Sequence, residues 1–179
     1  MWQNTNTRYG LKAILMHWLS ALVVFGLFGL GYWMRTLSYY DSWYQLGPWW
    51  HKSVGMVLLA VTLWRLLWKW RQPSPAISGR RGEVLAARLG HALLYLLLLL
   101  VMISGYLIST ADGRGISVFG WFEVPALVTE LPEQEDLAGI IHWYSALSLV
   151  VLALGHAAFA LKHHFADRKD TLVRMLKYR

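Results

Sequence analysis

The sequence predicts an all-α integral membrane protein, a four-helix bundle with both termini on one side of the bilayer. Three observations carry that prediction. Apolar residues fill 56% of the 179 positions and charged residues only 15%, against roughly 45–50% and about 25% in soluble domains. Four apolar segments are each long enough to cross a hydrocarbon layer of about 30 Å, which takes about 20 helical residues. The remaining charges sort by connection instead of spreading along the chain.

The expected spans are 13–34, 49–68, 84–108 and 137–161. The first reads AILMHWLSALVVFGLFGLGYWM and the third has LLYLLLLLVMISGYLI at its heart. Gly47 and Pro48 precede the second span, Pro73 and Pro75 follow it, and Pro132 precedes the fourth, as expected of residues that punctuate helices. The first run exceeds the about 7–15 apolar residues of a cleavable signal and lacks a small-x-small exit. No repeat of fixed period or low-complexity linker interrupts the chain, so 1–179 reads as one four-span domain.

The charges orient the bundle. Arg8 and Lys12 precede the first span (+2), and Arg35 with Asp41 follow it (zero). The second connection carries +5, the third −5 and the tail from Lys162 +4, with Lys52 completing the net +7. Basic loops stay in the cytoplasm, so both termini and the second connection are expected inside. Trp33, Trp49 and Trp50 would belt the outer face, and Trp64, Trp68 and Trp70 the inner one. The basic balance thus reflects topology, and no nucleic-acid partner is expected. Cysteine is absent, which excludes disulfides, iron–sulfur clusters and covalently attached c-type haem. No Ser/His/Asp set, P-loop or H-E-x-x-H pattern occurs, so hydrolase and nucleotide chemistry have no support.

Five of the seven histidines fall inside spans: His17, His51, His91, His142 and His156. Ionisable groups at membrane depth are costly and mark function, although a lone one is often a hydrogen-bonded core residue. Depth groups them. His17 and His156 belong to the inner half, His51 and His142 to the outer half. His142 and His156 are 14 residues apart, which returns to within roughly 40° of one helix face and separates them by about 21 Å. Two imidazoles at one depth, from two helices, can clamp a planar metal macrocycle. Haem b needs no cysteine and seats its apolar edge in a helix bundle. Gly26, Gly29, Gly31, Gly55 and Gly155 would admit a ring, or serve ordinary small-residue helix packing.

With HWLSA (His17–Ala21) and KHHFADRKDTLVRM (Lys162–Met175), the one-His-per-span pattern and the 14-residue pair resemble the prokaryotic cytochrome b561 family. These are four-helix dihaem cytochromes b of the bacterial inner membrane. The resemblance covers nearly the whole chain, and its helix-and-histidine logic is similar to the b subunits of formate dehydrogenases and hydrogenases. It implies two haems b: His17 with His156 as axial ligands of the inner haem, and His51 with His142 of the outer one. It also implies oxidation of superoxide, or of a periplasmic redox protein, and reduction of ubiquinone near the cytoplasmic side. Competing readings are a cytochrome b subunit dependent on a partner, and a haem-free transporter or scaffold.

Quinone reduction needs two electrons and two protons, and histidines relay protons near neutral pH. His91, Arg88, His163 and His164 are therefore expected to form a quinone and proton site near the inner haem. His163 and His164 otherwise cap a helix end, and His91 otherwise replaces His17 as ligand. Lys12, Arg65, Lys52, Arg35 and Arg114 are candidates to pair with haem propionates, or simply snorkel. The loop Gly115–Leu137 is expected outside, its aromatic half on the membrane and its acidic end in water. That acidity opposes an anionic donor such as superoxide. The tail Asp167–Arg179 is expected to form a short basic surface helix lying on lipid.

Overall fold

A computed structural model describes residues 2–76 and 79–176. Four helices dominate: α1 Leu11–Met34, α2 Trp43–Arg71, α3 Arg81–Ser109 and α4 Gln134–Phe165. At 1.5 Å per residue they run about 36 to 48 Å. All four are long and apolar enough to cross a membrane. Leu22, Leu96, Val151 and Phe159 stand exposed on their flanks. Contiguous apolar surface of that extent belongs against lipid. The chain is a four-helix membrane bundle, as its composition and periodicity require.

Each helix runs past its expected limits because polar and aromatic residues at the ends continue the helix into the interface. The largest difference is at α2. Gly47 and Pro48 were expected to precede the span, yet the helix begins at Trp43 and carries Pro48 inside. Proline there forfeits the bond to the Tyr44 carbonyl, and the helix continues through it. Gly47 is buried against Met34. Within the spans, Ser20, Ser104 and Ser145 donate to carbonyls one turn back, those of Met16, Leu100 and Ile141. Their hydroxyls therefore cost little in an apolar setting.

Helix α1 packs along α2 and α3 along α4, while α1 and α4 scarcely meet. Leu58, Leu98, Met102 and Leu149 form the buried core. Leu149 lies midway between His142 and His156, so this apolar layer separates two polar levels.

The two ends of the bundle differ. At the end opposite the termini, the α3–α4 connection folds into an antiparallel hairpin, β1 Ile116–Val118 with β2 Phe122–Val124. Its turn puts Phe119 at φ 52° and Gly120 at φ 73°, the positive values that a tight hairpin demands. Ser53 on α2 holds this non-glycine residue: its Oγ accepts the Phe119 N–H at 3.1 Å and donates to the Ser117 carbonyl at 3.4 Å. Val118 is fully buried, and Trp49 and Trp50 edge onto the Phe119 ring. Trp121 and Phe122 point outward.

At the other end the described residues of the tail are helical only as the 3₁₀ turn Val173–Met175. The expected surface helix is reduced to this turn because the segment is tied crosswise to the bundle. Trp18 Nε1 donates to the Met175 carbonyl at 2.7 Å, and Arg174 Nη1 to the Ala76 carbonyl at 3.0 Å. Lys169 pairs with Glu83 at 2.8 Å. Residues 177–179 of that expectation lie outside the described residues.

Candidate functional site

The four helices carry chemistry-bearing residues at two levels, each repeated after 14 positions: His17 and Gly31 on α1, His51 and Arg65 on α2, His91 and Gly105 on α3, His142 and His156 on α4. A 14-residue step keeps nearly the same helix face. The hairpin-end level therefore contains Gly31, His51, Gly105 and His142. The terminus-end level contains His17, Arg65, His91 and His156.

At the hairpin-end level the His51 and His142 rings have centroids 6.1 Å apart and planes inclined by 69°. Each ring lies against a glycine of the adjacent helix. A Cβ on Gly31 would stand 3.1 Å from His51 Cε1, and one on Gly105 would stand 2.9 Å from His142 Cε1. Only glycine leaves room for these rings. His142 Nδ1 donates to the Val101 carbonyl at 2.8 Å. This fixes the tautomer and leaves Nε2 with its lone pair, as in metal-ligating histidines. His51 Nδ1 is buried without a partner. Gly31 was legible in the sequence as a close-approach glycine; Gly105 was missed, although its spacing from His91 was available to find it.

At the terminus-end level His17 and His156 have centroids 6.3 Å apart, inclined by 67°. Arg65 Nη2 lies 3.3 Å from His17 Nδ1. His91 lies 5.3 Å from His156, centroid to centroid. Lys69 and Arg65 are within electrostatic reach of it.

These separations test the fit of a bis-imidazole metal. With nitrogen–metal bonds of about 2.0–2.1 Å and ring centroids roughly 1.1 Å further back, two rings on one iron stand roughly 6.3 Å apart. Both His17–His156 and His51–His142 match; His91–His156 is too short. Among the described residues no group of three or more His, Asp or Glu is placed to hold a bare metal ion. The Cβ positions of Gly26, Gly29, Gly55 and Gly155 meet no atom within 4 Å. The residues fit two haems b.

The other expected site residues are not gathered together. Arg88 is exposed. His163 Nδ1 pairs with Asp167 Oδ2 at 2.6 Å, and His164 lies on Phe165. The reason is position along α4: His163 and His164 lie about two turns, or roughly 10 Å, beyond His156, where Asp167 and Phe165 take them up. The His163 contact holds the Asp167 carboxyl below the usual carboxylate range. Of the candidate propionate partners, Arg65 reaches the terminus-end level. Arg35 lies over the Trp143 ring at 4.2 Å, Lys12 lies over Trp68 at 4.9 Å, and Arg114 is paired with Asp112.

The sequence matches the family model described as "Prokaryotic cytochrome b561" over residues 8–178. It is 53% identical over 175 residues to "Cytochrome b561 homolog 2" of Escherichia coli, covering 97% of this chain and 93% of that one. It is 29% identical over 177 residues to "Cytochrome b561 homolog 1" of the same organism, covering 96% and 98%. It is 30% identical over 181 residues to a Yersinia pestis protein named "Probable superoxide oxidase CybB", covering 94% and 96%. Such membership implies haem b binding and electron transfer in a bacterial membrane. The chain belongs to the prokaryotic cytochrome b561 family.

Proposed function

We propose that this chain carries electrons across the bacterial inner membrane through two haems b, taking them from superoxide or a periplasmic redox protein and delivering them to ubiquinone near the cytoplasmic side. The observation that carries this reading is the pair of imidazole–imidazole separations, 6.1 and 6.3 Å, at two levels of one bundle. Both levels draw one ring from α4, so a single rigid helix sets their spacing. The basic terminus end belongs in the cytoplasm and the acidic hairpin end in the periplasm.

Haem b, when bound, supplies reversible one-electron storage. The protein does the rest. His51 and His142 hold the outer group, and His17 and His156 the inner one. Leu58, Leu98, Met102 and Leu149 exclude water between them. The hairpin, latched by Ser53, covers the outer level. Arg35 over Trp143, next to His142, and Lys52, next to His51, are the cations beside that level, and they favour an anionic donor. Arg114 is neutralised by Asp112. The remaining acids of the connection favour a docked basic redox protein as the second donor class.

His91 is the group that transfers protons to quinone, because it flanks His156 without being spaced to share its iron. His163 with Asp167 is a proton station further out.

The test is a reduced-minus-oxidised spectrum with haem counted per chain. Two low-spin b haems are expected, with loss of the outer one in His51→Ala and His142→Ala and of the inner one in His17→Ala and His156→Ala. Two haems retained in His156→Ala would overturn the ligand assignment. Quinone reduction by superoxide with the purified chain alone would exclude an obligatory partner protein.

A further inference from the structure

One cluster at the terminus-end level consists of donors alone. Arg65 and Lys69 are one turn apart on α2, and both lie over the face of Tyr95, at 5.5 and 4.7 Å. Among the described residues no carboxylate is within ion-pair distance of either. Arg65 directs Nη2 to His17, and the guanidinium and ammonium accept nothing. Between them in sequence, Trp68 Nε1 is buried with no partner, and an indole nitrogen is likewise donor only. A ring face attracts each cation, and it satisfies none of their N–H groups. Unpaired cations at membrane depth are costly and mark ligand sites.

The two-level repeat places this cluster. Arg65 occupies on α2 the inner-level position that His51 occupies at the outer level. The missing partner is therefore an oxyanion beside His17, at the edge of whatever that imidazole binds. We propose that Arg65 and Lys69, with the Trp68 N–H, hold the carboxylates of the inner haem and thereby fix its rotation about the His17–His156 axis. This rests on the reading that these two histidines ligate that haem. Planar Arg suits a carboxylate in two-point contact, while Lys acts as a mobile point charge. The outer level has no such trio: Arg35 lies over Trp143, and Gly31 and Gly105 occupy the neighbouring helices.

Cations beside the haem edge favour its reduced, less positive form, so this cluster also raises the inner potential relative to a neutral site. The experiment uses purified holoprotein carrying Arg65→Gln or Lys69→Gln. It combines resonance Raman spectra of the propionate bending bands with a redox titration of both haems. Each variant is expected to keep two haems, move the propionate band of the inner haem only, and lower that haem's reduced-to-oxidised ratio about tenfold at fixed potential, or about 59 mV. Arg65→Lys should recover part of both signals. Should Arg65→Gln fail to accumulate, Lys69→Gln carries the same test without touching His17. Two haems with an unmoved propionate band would overturn this inference and leave the ligand assignment standing. His156→Ala that retained both haems would overturn the assignment itself. An unmoved band with loss of co-purifying phospholipid phosphate would give the cluster to a lipid headgroup, and the inference would fall.

Discussion

Gly105→Ala tests the proposed outer haem site with a single methyl group. The new Cβ would stand 2.9 Å from His142 Cε1 and 3.1 Å from its Nδ1. Carbon atoms settle at about 3.5–4.0 Å, so the ring must withdraw by roughly 0.6–1.1 Å. Overpacking of that kind costs about 1–3 kcal/mol. Withdrawal also strains the 2.8 Å bond from Nδ1 to the Val101 carbonyl, a loss of about 0.5–1.5 kcal/mol. The gain in helix propensity returns about 1 kcal/mol. The balance is about 2 kcal/mol against the ring's present position, or roughly 30-fold at 1.4 kcal/mol per factor of ten. That falls in the about 10–100-fold range of outer-shell effects on metal sites. The assay is haem retention per chain in the presence of an excess of apo haem-binding protein, with the two haems separated by redox titration. The outer haem should leave roughly 30-fold more readily and the inner one at its normal rate. Gly82→Ala, where a Cβ meets nothing within 4 Å, should leave both unchanged. Wild-type retention of the outer haem in Gly105→Ala would refute the close-packed glycine argument.

Three further outcomes are expected. His91→Ala should keep both haems while quinone reduction slows, by about 10²-fold if it serves as the proton donor; stopped-flow turnover equal to wild type would exclude that role. Ser53→Ala strands the buried Phe119 N–H, a loss of about 1–3 kcal/mol, and should speed amide hydrogen exchange over residues 116–124 without loss of the inner haem; unchanged exchange would mean the tryptophans alone hold the hairpin. Asp167 has its carboxyl pKa lowered by the His163 contact, so its tie is present above the ordinary carboxylate value of about 3.9 and lost as pH falls through the depressed one. Proteolytic cleavage of the tail at Arg168 or Lys169 should accordingly stay slow at pH 5 and rise at that pH in Asp167→Asn; a variant as protected as wild type would show that Lys169–Glu83 and Trp18 suffice.

Much of this protein follows from sequence because the membrane leaves few alternatives. A 20-residue apolar run with no internal partner for its backbone must be helical, and so the four spans, their order and the depth of each histidine were legible. Helical period alone placed His142 and His156 on one face. Expectation failed where contacts between distant segments decide. Pro48 was expected to bound α2, but a proline near a helix start does not stop it when Gly47 and Met34 pack behind it. The tail promised an amphipathic surface helix, yet bonds from Trp18 and Arg174 draw it across the bundle. Arg88, His163 and His164 were grouped with His91 by charge and hydropathy alone, yet Arg88 is exposed and His163 and His164 lie about two turns beyond His156 on α4. Which helix faces which neighbour is a property of packing. Only the tertiary structure could set Gly105 against His142, bring Arg65 to His17 and hold His91 too close to His156 for a shared iron, because each contact joins residues at least 37 positions apart.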